Sequence, residues 1–82
     1  MKGYGYKISV RMLRYRVCDL HMRLVKSGEY YAARLVLKCL QDGYVTLRLD
    51  DDSWLAQEEL EKVGCRIWYS SNGNKAKAYL VA

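Results

Sequence analysis

Apolar positions recur along this chain with two different periods, and the change of period marks out its elements. Val10, Leu13, Val17, Leu20 and Leu24 fall three and four residues apart, the spacing of one face of a helix. Tyr4, Tyr6, Ile8, Val10 and Met12 alternate with Gly5, Lys7, Ser9 and Arg11, the spacing of a strand, so both templates fit the N-terminal third. The segment 10–26 contains no turn signal, is rich in Leu, Met and Arg, and closes on Lys26-Ser27-Gly28, a cation followed by a capping glycine. These features predict a helix over 10–26, preceded by a short strand at 4–8. The alternative is one long bulged strand or meander.

The remaining pattern is easier to assign. Residues 29–41 bring an acid into a first turn, place Ala33, Val36 and Leu40 beside Tyr30, Arg34, Leu37 and Gln41 at helical spacing, and stop at Asp42-Gly43. Residues 44–49 alternate, with Val45, Leu47 and Leu49 on the face that would be buried, which predicts a strand. Asp50, Asp51, Asp52 and Ser53 are suited to capping a third helix over 54–63 that ends at Gly64.

A hairpin closes the chain. Ser71-Asn72-Gly73-Asn74 is a strong turn signal, and strands paired symmetrically across it place Trp68 opposite Lys77 and Arg66 opposite Tyr79. On the other side Cys65, Ile67 and Tyr69 meet Leu80, Ala78 and Ala76. The expected fold is therefore a small single α+β domain over 1–82, of order (β)-α-α-β-α-β-β, with the C-terminal hairpin packed on helices.

Charge sharpens this picture because it is divided into blocks. Residues 1–48 carry ten Lys/Arg against three acids, residues 49–63 carry six acids against Lys62, and residues 64–82 carry only Arg66, Lys75 and Lys77. The formal net charge is +5. Separated blocks make fields that a uniform mixture would cancel, so a polyanionic partner, or one whose own charge is patterned, is expected.

Chain size narrows the functional classes. With 82 residues there is room for one core and a surface site but hardly for an enclosed substrate chamber. No stretch approaches the ~18 apolar residues of a membrane span, and the Met-Lys-Gly-Tyr start lacks the apolar run of a signal peptide, so the expectation is a cytoplasmic protein. Cys18, Cys39 and Cys65 are odd in number and widely spaced, as reduced thiols serving as small core residues would be.

Enzymatic and cofactor chemistry find little support in the motifs. Cys18 and His21 form half a zinc motif without its other half, and the Asp50-Asp51-Asp52 run with Glu58 is better explained by helix capping than by a divalent metal. His21 reads as a partly exposed helix residue. No glycine-rich loop is present to cradle a phosphate. The expectation is a non-enzymatic protein with no metal and no cofactor.

Two functional classes remain. The first is a small basic nucleic-acid-binding protein, with Arg11, Arg14, Arg16 and Arg23 on phosphate and Arg66, Trp68, Lys77 and Tyr79 stacking on bases or touching the backbone, as in sheet-surface or wing-type binders of RNA or DNA. The same Trp68/Lys77 and Arg66/Tyr79 pairs also suit plain cross-strand cation–π contacts on a solvated sheet. The second class is a protein-binding inhibitor or adaptor, such as a phage- or plasmid-type regulator of a host nucleic-acid machine, which presents Asp51, Asp52, Glu58, Glu59 and Glu61 to its partner. All ten aromatic residues are Tyr or Trp, and Tyr4, Tyr6, Tyr30, Tyr31 and Tyr44 suit a protein-binding face or a homodimer seam as readily as a stacking platform.

Overall fold

A computed structural model describes residues 9–48 and 53–81. The expected strand at 4–8 lies outside them. Helix α1 spans Val10–Lys26 and buries Leu13, Val17, Leu20 and Leu24, which settles the N-terminal ambiguity in favour of the helical period. Val10 and Met12, which the alternating pattern would have set on a common buried side, are both exposed. The helix starts at Ser9, whose hydroxyl accepts the Met12 N–H at 3.2 Å. It ends with Arg23 and Lys26 near the exposed carbonyls of the last turn, where cations are favoured by the helix dipole. Gly28 then takes φ 79°, and the Glu29 N–H returns to the Leu24 carbonyl at 2.9 Å.

That tight turn folds α2, Tyr30–Asp42, back along α1. Its buried face is Ala32, Ala33, Val36 and Cys39, small enough for close approach between the two helices. Gly43 caps α2 at φ 86°, donating its N–H to the Cys39 carbonyl at 2.9 Å, and its own carbonyl accepts the Leu80 N–H at 2.8 Å. One residue thus ends a helix and ties it to the far end of the chain.

Strand β1, Tyr44–Arg48, follows directly, then α3, Trp54–Val63, and the hairpin strands β2, Arg66–Tyr69, and β3, Lys75–Tyr79. The three strands form an antiparallel sheet in the order β1-β3-β2, so the last strand is the central one. The hairpin has the register expected from its turn: Arg66 faces Tyr79, Ile67 Ala78, Trp68 Lys77 and Tyr69 Ala76. Ser70 and Lys75 close a four-residue loop in which Gly73 adopts φ 77° and Asn72 accepts from the Ser70 hydroxyl at 2.7 Å.

At the start of α3 the expected cap is used differently. Ser53 occupies the N-cap position but makes no side-chain bond to the helix; its hydroxyl donates to the Arg48 carbonyl, tying α3 to the end of β1. Burial explains the choice, because Ser53 is fully enclosed and a buried hydroxyl needs a partner. Asp50, Asp51 and Asp52, the other residues expected there, and Leu49, expected on the buried face of the strand, lie outside the described residues.

Among the described residues, helices cover only one side of the sheet. Val45, Leu47, Ala76 and Ala78 point inward and join Ala56 and Leu60 of α3, Val36 and Cys39 of α2, and the four buried residues of α1 in a single apolar core. The sheet packs on α2 and α3, and α1 makes its principal contacts with those two helices. The fold is α+β, with the order α-α-β-α-β-β over the described residues. Among them no helix is long and apolar enough to cross a membrane.

Candidate nucleic-acid interface

Successive strand residues point to opposite sides, so burial of Val45, Leu47, Ala76 and Ala78 dictates what the open face displays. The two registers arrange it in rows across the sheet: Tyr44, Tyr79 and Arg66; then Thr46, Lys77 and Trp68; then Arg48 and Lys75. Three aromatic rings and four cations occupy eight positions, and none of the eight is a carboxylate. All four expected hairpin residues, Arg66, Trp68, Lys77 and Tyr79, therefore share one surface. Tyr44 and Arg48 join them from β1, a contribution that local hairpin reasoning does not reach.

The side chains are organised within that surface. The Tyr44 and Tyr79 rings sit 6.4 Å apart between centroids, tilted by 31°. Lys77 extends its ammonium over the Tyr44 ring at 5.9 Å from the centroid, so the cation lies toward β1 although Trp68 is its partner in register on β2. Trp68 is left 53% exposed and Tyr44 47% exposed. A hydrophobic ring half open to water, on a sheet face that no described helix covers, offers its π-surface to a planar ligand.

The arginines of α1 are elsewhere. Arg11, Arg14, Arg16 and Arg23 are exposed, but they stand on a helix that packs on α2 and α3, the layer covering the opposite side of the sheet. Two separate basic surfaces result. The acids also belong to the helical layer: Glu58 and Glu61 are exposed on α3, Glu61 accepts from Gln57 at 3.1 Å, and Glu59 pairs with Lys62 at 3.7 Å. Gln57 also donates to the Tyr69 hydroxyl at 2.9 Å, tying α3 to the edge of β2. Thus the α3 acids that would repel phosphate are carried on the side away from the aromatic face. Of the remaining tyrosines, Tyr30 and Tyr31 are exposed at the start of α2.

His21 places Nδ1 3.0 Å from the Ala33 carbonyl, a geometry in which that nitrogen carries the proton and donates. The contact fixes the ring against α2. Among the described residues no group of three or more His, Cys, Asp or Glu is gathered as for a metal ion.

The cysteines divide into two kinds. Cys18 is exposed, whereas Cys39 and Cys65 are buried between α2, the start of β2 and the sheet. The Cys65 thiol hydrogen-bonds to the Cys39 sulfur; this contact, followed by burial, pushes its pKa far above the usual thiol range. Cys39 in turn donates to the Ala78 carbonyl at 3.7 Å. Expectation and structure agree for this pair and differ for Cys18, which is not a core residue.

Compared with known proteins, the chain matches no family model, no curated protein and no solved structure.

Proposed function

We propose that this protein binds single-stranded nucleic acid, with no catalytic step, through the open face of its sheet. The observation that carries the reading is the grouping of Trp68, Tyr44 and Tyr79 with Arg48, Arg66, Lys75 and Lys77 on one sheet face, opposite the described helices. Bases of a single strand are unstacked and present their faces, and stacking on aromatic side chains contributes about 1–3 kcal/mol per base. Bases in a duplex are already stacked on one another and offer a flat sheet only backbone and groove edges. The surrounding cations neutralise phosphates on either side of the stacked bases.

Fluorescence anisotropy with labelled single-stranded and double-stranded RNA and DNA tests this directly. Each phosphate contact contributes about 0.7 to the log–log salt slope for a single strand, so use of all four cations gives a slope near −3. Preference for single strands, with quenching of Trp68 in a Trp54→Phe background, is the expected result. Absence of binding at low salt, or equal affinity for duplex with no quenching, rejects the reading.

The second reading, a protein-binding inhibitor or adaptor, is favoured by the exposure of Glu58 and Glu61 on α3. Charge reversal at both residues distinguishes the two: it leaves oligonucleotide binding by the sheet face intact and abolishes capture of a basic protein partner.

A further inference from the structure

The starts of α2 and α3 meet at an open groove of about 300 Å³, lined by Glu29, Tyr31, Ala32, Trp54 and Leu55. Ala32 is buried and Leu55 half-buried, so these two form the floor, while Tyr31, 48% exposed, and Trp54, 52% exposed, stand at the rim. Glu29 is exposed beside them at the N-cap of α2, yet its side chain makes no capping bond. Among the described residues that carboxylate also has no ion pair and no other hydrogen bond. The groove belongs to the helical layer and not to the open face of the sheet.

We infer that this groove receives an arginine side chain of a partner protein. Two aromatic rings and an unpaired carboxylate supply what a guanidinium uses: its flat faces stack on Tyr or Trp, whose π-surface attracts a cation, and its edge donates paired N–H groups to a carboxylate. The surrounding sequence has the matching sign. Trp54 and Leu55 lie in the segment 49–63, where six acids meet a single lysine, so the charge carried by their own stretch of chain is negative. A helix start opposes a cation with a partial positive charge of about one half, and Glu29, at the start of α2, outweighs it with a full negative charge.

The chemistry of the lining decides against other occupants. An anion would meet the Glu29 carboxylate. An apolar side chain would cover Tyr31, Trp54 and the floor but would strip water from Glu29 without giving it a partner, which costs free energy. Lysine has the charge but neither the flat face nor the fork, so it is held more weakly. A second copy of the chain, with its net charge of +5, is repelled by the first.

The test is titration of the isotope-labelled protein with a short Ser/Gly peptide carrying one central arginine, beside the same peptide with lysine, citrulline or glutamate at that position. Saturable chemical-shift changes centred on Tyr31, Ala32, Leu55 and the Trp54 indole are expected with the arginine peptide. Lysine binds severalfold more weakly, and citrulline, which keeps the shape without the charge, at least tenfold more weakly. Glu29→Gln, at an exposed site that makes no capping bond, stays folded, weakens the arginine peptide severalfold and narrows its advantage over citrulline. Trp54→Ala, also at an exposed site, weakens it severalfold as well. No shift at these residues at tens of millimolar arginine peptide overturns the inference. So does equal binding of the citrulline or glutamate peptide, an affinity that Glu29→Gln leaves unchanged, or shifts that follow protein concentration alone.

Discussion

Lys77 holds its ammonium over the ring of Tyr44, on the neighbouring strand β1, at 5.9 Å from the ring centroid. The contact joins a central-strand cation to an edge-strand aromatic whose own ring is already beside Tyr79. A cation–π contact at an exposed site contributes about 0.5–1 kcal/mol. Lys77→Met keeps the aliphatic stem and removes the charge, so it lowers stability to urea by roughly that amount. In the same variant the salt slope of oligonucleotide binding falls by about 0.7. Parallel denaturation and salt-series measurements check both effects, and a slope equal to the wild type removes Lys77 from the phosphate contacts.

Trp68 separates binding from stability. Its ring is half exposed on the open face, away from the apolar core, so Trp68→Ala changes the unfolding midpoint little. Loss of one stacked base weakens single-strand affinity by about 1–3 kcal/mol, roughly 5- to 150-fold. Isothermal titration beside thermal unfolding reads the two quantities on the same sample. A variant that loses stability and retains affinity contradicts the assigned role.

Gly43 is the backbone counterpart of these surface residues. It takes a left-handed conformation at φ 86°, and a Cβ added there would meet no atom within 4 Å. The cost of Gly43→Ala is therefore conformational and not steric crowding, about 1–2 kcal/mol. Gly43→Asn costs less, because asparagine tolerates this region better than alanine does. Urea midpoints of the two variants give the order Gly43, Asn, Ala.

Thiol chemistry distinguishes the three cysteines. Cys18 is exposed on α1 and reacts with a disulfide reagent in the native protein, whereas Cys39 and Cys65 react only after unfolding. The fold holds the Cys65 thiol protonated, but the unfolded chain releases that proton above about pH 8.5, the ordinary value for cysteine. The unfolded state then binds fewer protons than the folded one. The Cys65 contribution to stability is thus constant below about pH 8.5 and declines as pH rises beyond it. Comparing the wild type with Cys65→Ala at pH 7 and pH 9.5 reads that decline together with the opposite contribution of Cys39, whose pKa the same hydrogen bond lowers.

Local physics made the hairpin and the helices legible in the sequence. The turn from Ser71 to Asn74 fixes which residues of β2 and β3 face each other, and Gly28, Gly43 and Gly64 mark helix ends because each requires positive φ. Pairing of β1 with β3 was not legible, since it joins segments far apart in the chain and depends on how α2 and α3 settle on the sheet. This is why the sequence offers Tyr44 for a stacking platform without placing it beside the hairpin and does not single out Arg48, although the alternation of Tyr44, Thr46 and Arg48 with Val45 and Leu47 sets both on the side opposite the core. The N-terminal helix was ambiguous for a related reason. Val10 fits both the helical and the alternating pattern; the end signal at Lys26-Ser27-Gly28 favours the helix, and packing against α2 and α3, with Leu13, Val17, Leu20 and Leu24 buried, selects it.

The central place of β3 has a consequence for how the chain acquires its order. Neither β1 nor β2 pairs with the other; each finds its hydrogen-bonding partner only in β3, which follows both in sequence. The helical hairpin of α1 and α2 rests on contacts between chain neighbours, whereas the sheet pairs both of its edges with one strand near the end of the described chain. Opening of β3 releases both edges together, so the aromatic and cationic side chains of the open face lose their common frame in a single event.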